Sequence, residues 1–199
     1  MLSPSAIALL AVGIIVVLIT PGPTNTLLAA AGLRQGVRLS WPLIAAELAG
    51  YLVSISVWGH FLVQAARALP WLPSLLRVAA GVYIAYLAVD MWRAAVALPD
   101  STQRPIGMRT LFVATLLNPK GLLFASTIFP AVAFAQVSAY ATAMLMFASL
   151  LVPIALAWIA FGAALGSGRL GWLNPVKIQR GASIVLGVFS LSLAWAALH

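Results

Sequence analysis

The sequence predicts an all-α membrane protein: six transmembrane helices in two inverted three-helix repeats, with the first and fourth helices broken at proline motifs. Three observations predict it. Of 199 residues, 63% are hydrophobic and only 7% charged, where a soluble domain carries roughly 25% charged residues. The apolar residues gather into six runs, each close to or above the roughly 20 residues that one helical span requires. Two of those runs, at corresponding places in the two halves, are interrupted by proline. Strands of a membrane barrel would alternate apolar and polar residues over about ten positions; these runs do not alternate, so helices are expected. The chain reads as a single transmembrane domain over 1–199, with repeat one at about 1–97 and repeat two at about 106–199.

The first run, residues 5–33, is interrupted at Pro21-Gly22-Pro23. No Lys or Arg precedes it and another apolar run follows the prolines, so it is expected to be a retained span and not a cleaved signal peptide. The second run covers 41–63 and the third 71–92. Residues 98–105, Leu-Pro-Asp-Ser-Thr-Gln-Arg-Pro, form the most loop-like stretch and divide the chain nearly in half. The fourth run, 109–134, is interrupted at Asn118-Pro119-Lys120; the fifth covers 137–165 and the sixth 176–198. Trp41, Trp58, Trp71, Trp92, Trp172 and Trp195 fall near the expected ends, where an amphipathic ring prefers the headgroup level. Trp158 fits that pattern less well.

Eleven Lys and Arg stand against three Asp and Glu. A basic chain raises the question of nucleic acid, but these residues are scattered singly between apolar runs and form no patch or arm that could track phosphates. Orientation in a bilayer accounts for them better. Arg34, Arg38, Arg93, Arg104, Arg109, Arg169, Lys177 and Arg180 lie on one side of the expected topology, and Arg67 and Arg77 on the other. The positive-inside bias puts the first group in the cytoplasm and both termini outside. Lys120 alone does not fit. The chain has no Cys, which excludes disulfides, iron–sulfur ligation and thiol catalysis. Its two histidines, His60 and His199, are too few and too distant for a metal centre, and no cofactor is expected.

The paired interruptions are the most informative feature. Proline removes an amide donor and clashes with the preceding turn, freeing carbonyls at a depth where lipid cannot satisfy them. Breaks at corresponding places in two halves point to an inverted-repeat transporter with its site at the bilayer midplane. The expected binding residues are therefore Pro21, Gly22, Pro23, Thr24 and Asn25 from the first break, and Asn118, Pro119 and Lys120 from the second. Thr24 and Asn25 open a new half-helix, whose free amides and positive dipole end favour a carboxylate; Lys120 supplies a cation. The alternative is that both prolines merely kink their helices, with Thr and Asn as caps. Glu47 is a candidate for proton coupling or for an amino group, with Lys120 as its partner in an empty site, because intramembrane charge is costly and usually faces a cavity. It also lies only six residues after Trp41, which leaves an interfacial position open. Asp90 is expected to pair with Arg93 or Arg77, and His60 to sit at the outer interface. Gly32 with Gly36, and Gly162 with Gly166, fit the small-xxx-small packing pattern.

The same residues resemble a known family. Thr20-Pro21-Gly22-Pro23 with Gly32 and Gly36, then Leu116-Leu117-Asn118-Pro119-Lys120-Gly121 leading to Phe124 and Phe129-Pro130, closely resemble the lysine exporter (LysE/RhtB) family of amino-acid efflux proteins. Residues 76–87 look like its third helix, and Gln179-Arg180-Gly181-Ala182 with Leu186-Gly187 like its last. The resemblance implies a six-helix secondary transporter of the bacterial inner membrane that exports amino acids or their derivatives, driven by protons. Many members carry an acidic residue, commonly Asp, in a Gly-rich part of the second helix; here the only candidate is Glu47. A passive channel for small polar solutes needs the same polar breaks but no coupling group. An intramembrane enzyme would need a convergent acid, base or nucleophile set, and none is present. The expected partners are a small amino-acid-like substrate, protons and the lipid bilayer; a homodimer is compatible with the sequence.

Overall fold

The computed structural model describes residues 3–69 and 105–167 continuously, together with residues 71, 74–75, 78–79, 81–82, 85–86, 89, 92–93, 180–181, 183–184, 187–188 and 190–191. Linker residues 98–104, Arg77, Asp90, Arg169, Trp172, Lys177, Trp195 and His199 lie outside the described residues, as does the Arg67 side chain. Among the described residues the regular structure is entirely helical.

Helix α1 spans Pro4–Ile19, with the Ser3 side chain accepting from the Ala6 amide at 3.2 Å and proline in its first turn. Leu10, Ile14, Val17 and Leu18 are buried, while Leu9, Val12, Val16 and Ile19 form an exposed stripe at helical spacing. That stripe suits lipid. Thr20, which precedes Pro21, is extended with ψ 125°, as steric conflict with a following proline ring requires. Helix α2, Pro23–Ser40, restarts with proline at its first position, where the missing amide costs nothing. The two helices bend by 56°.

The connection expected around Arg34 to Arg38 is helical instead. Helix α2 runs on to Ser40 through one interruption, Gly36, whose φ of 74° lies in the left-handed region that glycine tolerates. An apolar run ends where the hydrocarbon ends, but backbone hydrogen bonding can carry the helix further. Helix α3, Leu43–Ala68, likewise passes the expected limit at 63. Helix α4, Met108–Leu116, and α5, Pro119–Leu123, meet at the second break; α5 continues as a π turn over Phe124–Ile128, and the bend is 45°. A 3-10 turn, Ala131–Phe134, leads into α6, Val137–Gly166, which continues through Pro153. Trp158 lies within α6, half-buried against the core, 6.0 Å from the Phe161 ring. Leu43–Leu62 and Val137–Gly166 are each long and apolar enough to cross a membrane, and each bent pair passes as one span. The first, second, fourth and fifth expected spans are thus recovered. The described residues of the third and sixth runs are mostly helical, and Ser190 Oγ donates to the Gly81 carbonyl at 2.8 Å, joining them.

Close packing of α2 on α6 sets the position of the first break. A Cβ on Gly32 would collide with the Ile159 carbonyl, and one on Gly162 with the Ala29 carbonyl, so the two backbones touch there without side chains between them. Gly166 abuts Leu33, whereas Gly36 faces open space: three of the four expected packing glycines pack, and the fourth turns the chain. Elsewhere in the core lies an aromatic cluster, with Tyr51, Phe124 and Phe147 edge to face at centroid separations of 5.7, 5.6 and 5.0 Å.

Candidate functional site

At the first break two prolines remove the amides that would close the last turn of α1. Val17 O would pair with the amide of residue 21 and Ile19 O with that of residue 23, and both residues are proline. Side chains fill the gap. Asn25 Nδ2 donates to the carbonyls of Leu18 at 2.7 Å and Thr20 at 2.9 Å. Lys120 Nζ donates to Val17 O at 2.9 Å and also to Thr20 O. Lys120 is only 4% exposed. Its stem passes over Gly22, where a Cβ would sit 2.9 Å from Lys120 Cε and 3.0 Å from Nζ. The two breaks are therefore in contact.

The second break closes on itself. The Thr115 carbonyl, deprived of its partner by Pro119, takes the Asn118 amide at 3.0 Å. Asn118 Oδ1 caps α5 by accepting from the Lys120 amide at 3.0 Å, leaving its Nδ2 to donate to Tyr51 OH at 3.1 Å and Thr24 Oγ1 at 3.3 Å. Thr24 Oγ1 and Tyr51 OH also lie 3.3 Å apart. The Thr24 side chain hydrogen-bonds the Glu47 carboxyl, which interacts electrostatically with Lys120. Thr24, Asn25, Glu47, Tyr51, Asn118 and Lys120 are all buried.

These placements decide several expectations. Glu47 is 1% exposed, so it is buried inside the protein and does not reach its surface. Thr24, Asn118, Lys120 and Glu47 come together; Gly22 is buried beneath Lys120, and Pro21, Pro23 and Pro119 shape the breaks while remaining partly accessible. Asn25 spends its amide on the carbonyls of its own break. Lys120 likewise faces carbonyls in this conformation and not Glu47 alone. His60 is exposed, its Nδ1 2.8 Å from the Ser56 carbonyl and its ring 5.9 Å from those of Phe134 and Tyr140. Sequence reasoning missed Tyr51 and Ser54. A signal existed: they follow Glu47 by four and seven positions, the spacing of one helix face. Ser54 Oγ is buried without a partner, and a Cβ on Gly121 would run into it.

Two half-helix breaks, a buried Lys and a buried Glu in one cluster bring both signs of charge together with backbone carbonyls that side chains, and not helix amides, satisfy. A family model for LysE type translocators matches residues 15–199. No curated protein and no solved structure matches the chain. The match includes both breaks and every residue of the cluster, and members of this family are transporters rather than enzymes. The chain belongs to the LysE type translocator family and is a multi-pass membrane transporter.

Proposed function

We propose that this protein exports amino acids or closely related zwitterions from the cytoplasm across the inner membrane, by alternating access in exchange for protons. The observation that carries the reading is the contact between the two proline breaks: Lys120 of the second break hydrogen-bonds carbonyls of the first, with Glu47 beside it. A site built where the broken spans of two halves meet is one that rocking of the halves can open alternately to each side. The substrate carboxylate pairs with Lys120, the amino group with freed carbonyls or Glu47, and Glu47 carries the exchanged proton. By the positive-inside bias, the side of the protein that carries eight of the eleven basic residues faces the cytoplasm, and the termini lie outside.

The test is efflux from proteoliposomes loaded with a panel of amino acids under an imposed pH gradient. At least one amino acid should leave faster when the gradient is applied, and Lys120→Ala should abolish that efflux. Unchanged efflux in Lys120→Ala would remove this site assignment. Flux that continues at full rate after the gradient is collapsed would indicate a passive pore.

A further inference from the structure

The end of α1 is built as a cation site. The helix cannot continue past Thr20, because residues 21 and 23 are prolines, and its end carries the negative pole of the dipole of a 16-residue helix. Two of its carbonyls, on Val17 and Leu18, and the carbonyl of the capping residue Thr20 accept from N–H donors supplied by side chains. The two donors differ in kind. Asn25 is short and belongs to the same bent span, so its amide is a fixed part of the wall. Lys120 arrives from the other half of the chain on a flexible four-carbon stem, and its amino group is the only formally charged group among the four donor–acceptor contacts. Glu47 and Tyr51 of α3, Thr24 and Asn25 of α2, and Asn118 complete the surroundings. Lys120 has room because position 22 has no side chain; a Cβ there would press on Cε and Nζ.

We propose that the Val17 and Thr20 carbonyls form a primary-ammonium site that Lys120 fills in this conformation and that the amino group of the transported molecule fills once Lys120 withdraws. The ligand's identity rests on the export reading above; the cation site itself does not. Replacing one ammonium by another keeps the buried carbonyls satisfied, avoiding the penalty of leaving them bare. The released Lys120 then meets the carboxylate of the molecule that displaced it. The lysine is thus an internal competitor that prevents an empty, uncompensated carbonyl cluster, and a ligand with both an amino group and a carboxylate removes it at least cost.

Removing the competitor should therefore create binding. With purified full-length protein, calorimetric titration of n-propylammonium is compared across wild type, Lys120→Met and Lys120→Met combined with Gly22→Ala, with tetramethylammonium, which has no N–H, alongside. Because apparent affinity falls with the fraction of molecules whose site is free, propylammonium should bind Lys120→Met about tenfold or more tightly than wild type. Adding Gly22→Ala should reverse most of that gain, because its Cβ would lie 3.0 Å from the place of the ammonium nitrogen. Tetramethylammonium should gain less than propylammonium, since Glu47 attracts both cations but the carbonyls hydrogen-bond only one of them. No gain for propylammonium in Lys120→Met, a gain that survives Gly22→Ala, or an equal gain for tetramethylammonium overturns the proposal. Should Lys120→Met fail to fold, its recovery when purified in propylammonium and not in tetramethylammonium decides, and no recovery overturns the proposal. Wild-type efflux of amino acids separates the two readings: efflux without the ammonium gain defeats only this inference, and the gain without efflux defeats only the export reading.

Discussion

Replacing Tyr51 by Phe tests whether the hydroxyl that joins the two breaks matters. Tyr51 is fully buried, and its ring meets Phe124 and Phe147 edge to face. Phenylalanine keeps that ring, so the packing change is confined to one oxygen. The lost contacts are those to Asn118 Nδ2 at 3.1 Å and Thr24 Oγ1 at 3.3 Å. Both are long compared with a mode of about 2.9 Å for amide donors and 2.8 Å for hydroxyls. A buried polar group left without its partner costs about 1–3 kcal/mol, and the length of these bonds together with the contacts that Thr24 and Asn118 retain places the loss in the lower half, about 1–2 kcal/mol. At about 2–4 °C per kcal/mol for a chain of this size, the melting temperature should fall by about 2–8 °C. The measurement is thermal unfolding of the purified protein followed by tryptophan fluorescence, paired with liposome efflux, which should slow because Thr24 and Asn118 are then joined by a single 3.3 Å contact. Tyr51→Leu should be worse, since each lost edge-to-face contact is worth about 0.5–1.5 kcal/mol beyond its area. A Tyr51→Phe protein that melts within one degree of wild type and transports at the same rate would refute the network's importance.

Gly162→Ala places a methyl group 2.6 Å from the Ala29 carbonyl carbon and 2.9 Å from its Cα; forced separation of α2 from α6 should cost about 1–3 kcal/mol, seen as a lower melting temperature, whereas Gly107→Ala, facing open space, should leave it within a degree. Glu47→Gln keeps the shape and the contact with Thr24 but removes the ionisable group: proton-driven efflux should fall at least tenfold, equivalent to about 1.4 kcal/mol, while exchange of labelled for unlabelled substrate without a gradient persists. Equal loss of both would mean that Glu47 binds substrate and does not couple. Because the chain has no cysteine, single substitutions report topology directly: Ser5→Cys should react with a membrane-impermeant maleimide in intact cells, and Ser167→Cys only after the cells are opened. The reverse pattern would invert the assigned orientation.

Four of the six spans and both breaks were legible in the sequence because each has a local cause. Apolar length decides what can cross a bilayer, and proline at positions 21, 23 and 119 withdraws amides wherever the rest of the chain lies. The limits of α2 and α3 were less legible, because hydrophobicity marks the edge of the hydrocarbon and not the edge of the hydrogen-bonded helix. Tyr51 escaped notice for a different reason. A tyrosine in an apolar helix resembles ordinary core or interface until it is known which face of α3 meets the breaks.

Composition, span length and the missing proline amide act locally, and they suffice to read a helical membrane protein with two proline breaks and one cation, Lys120, that topology does not explain. The burial of Glu47, the capping of the opposite break's carbonyls by Lys120, and the division of the glycines into Gly36, which turns the chain, and Gly32 and Gly162, which pack, come from the folded chain. They depend on long range: Lys120 reaches carbonyls 100 and 103 positions away, and a glycine packs only where another backbone lies against it.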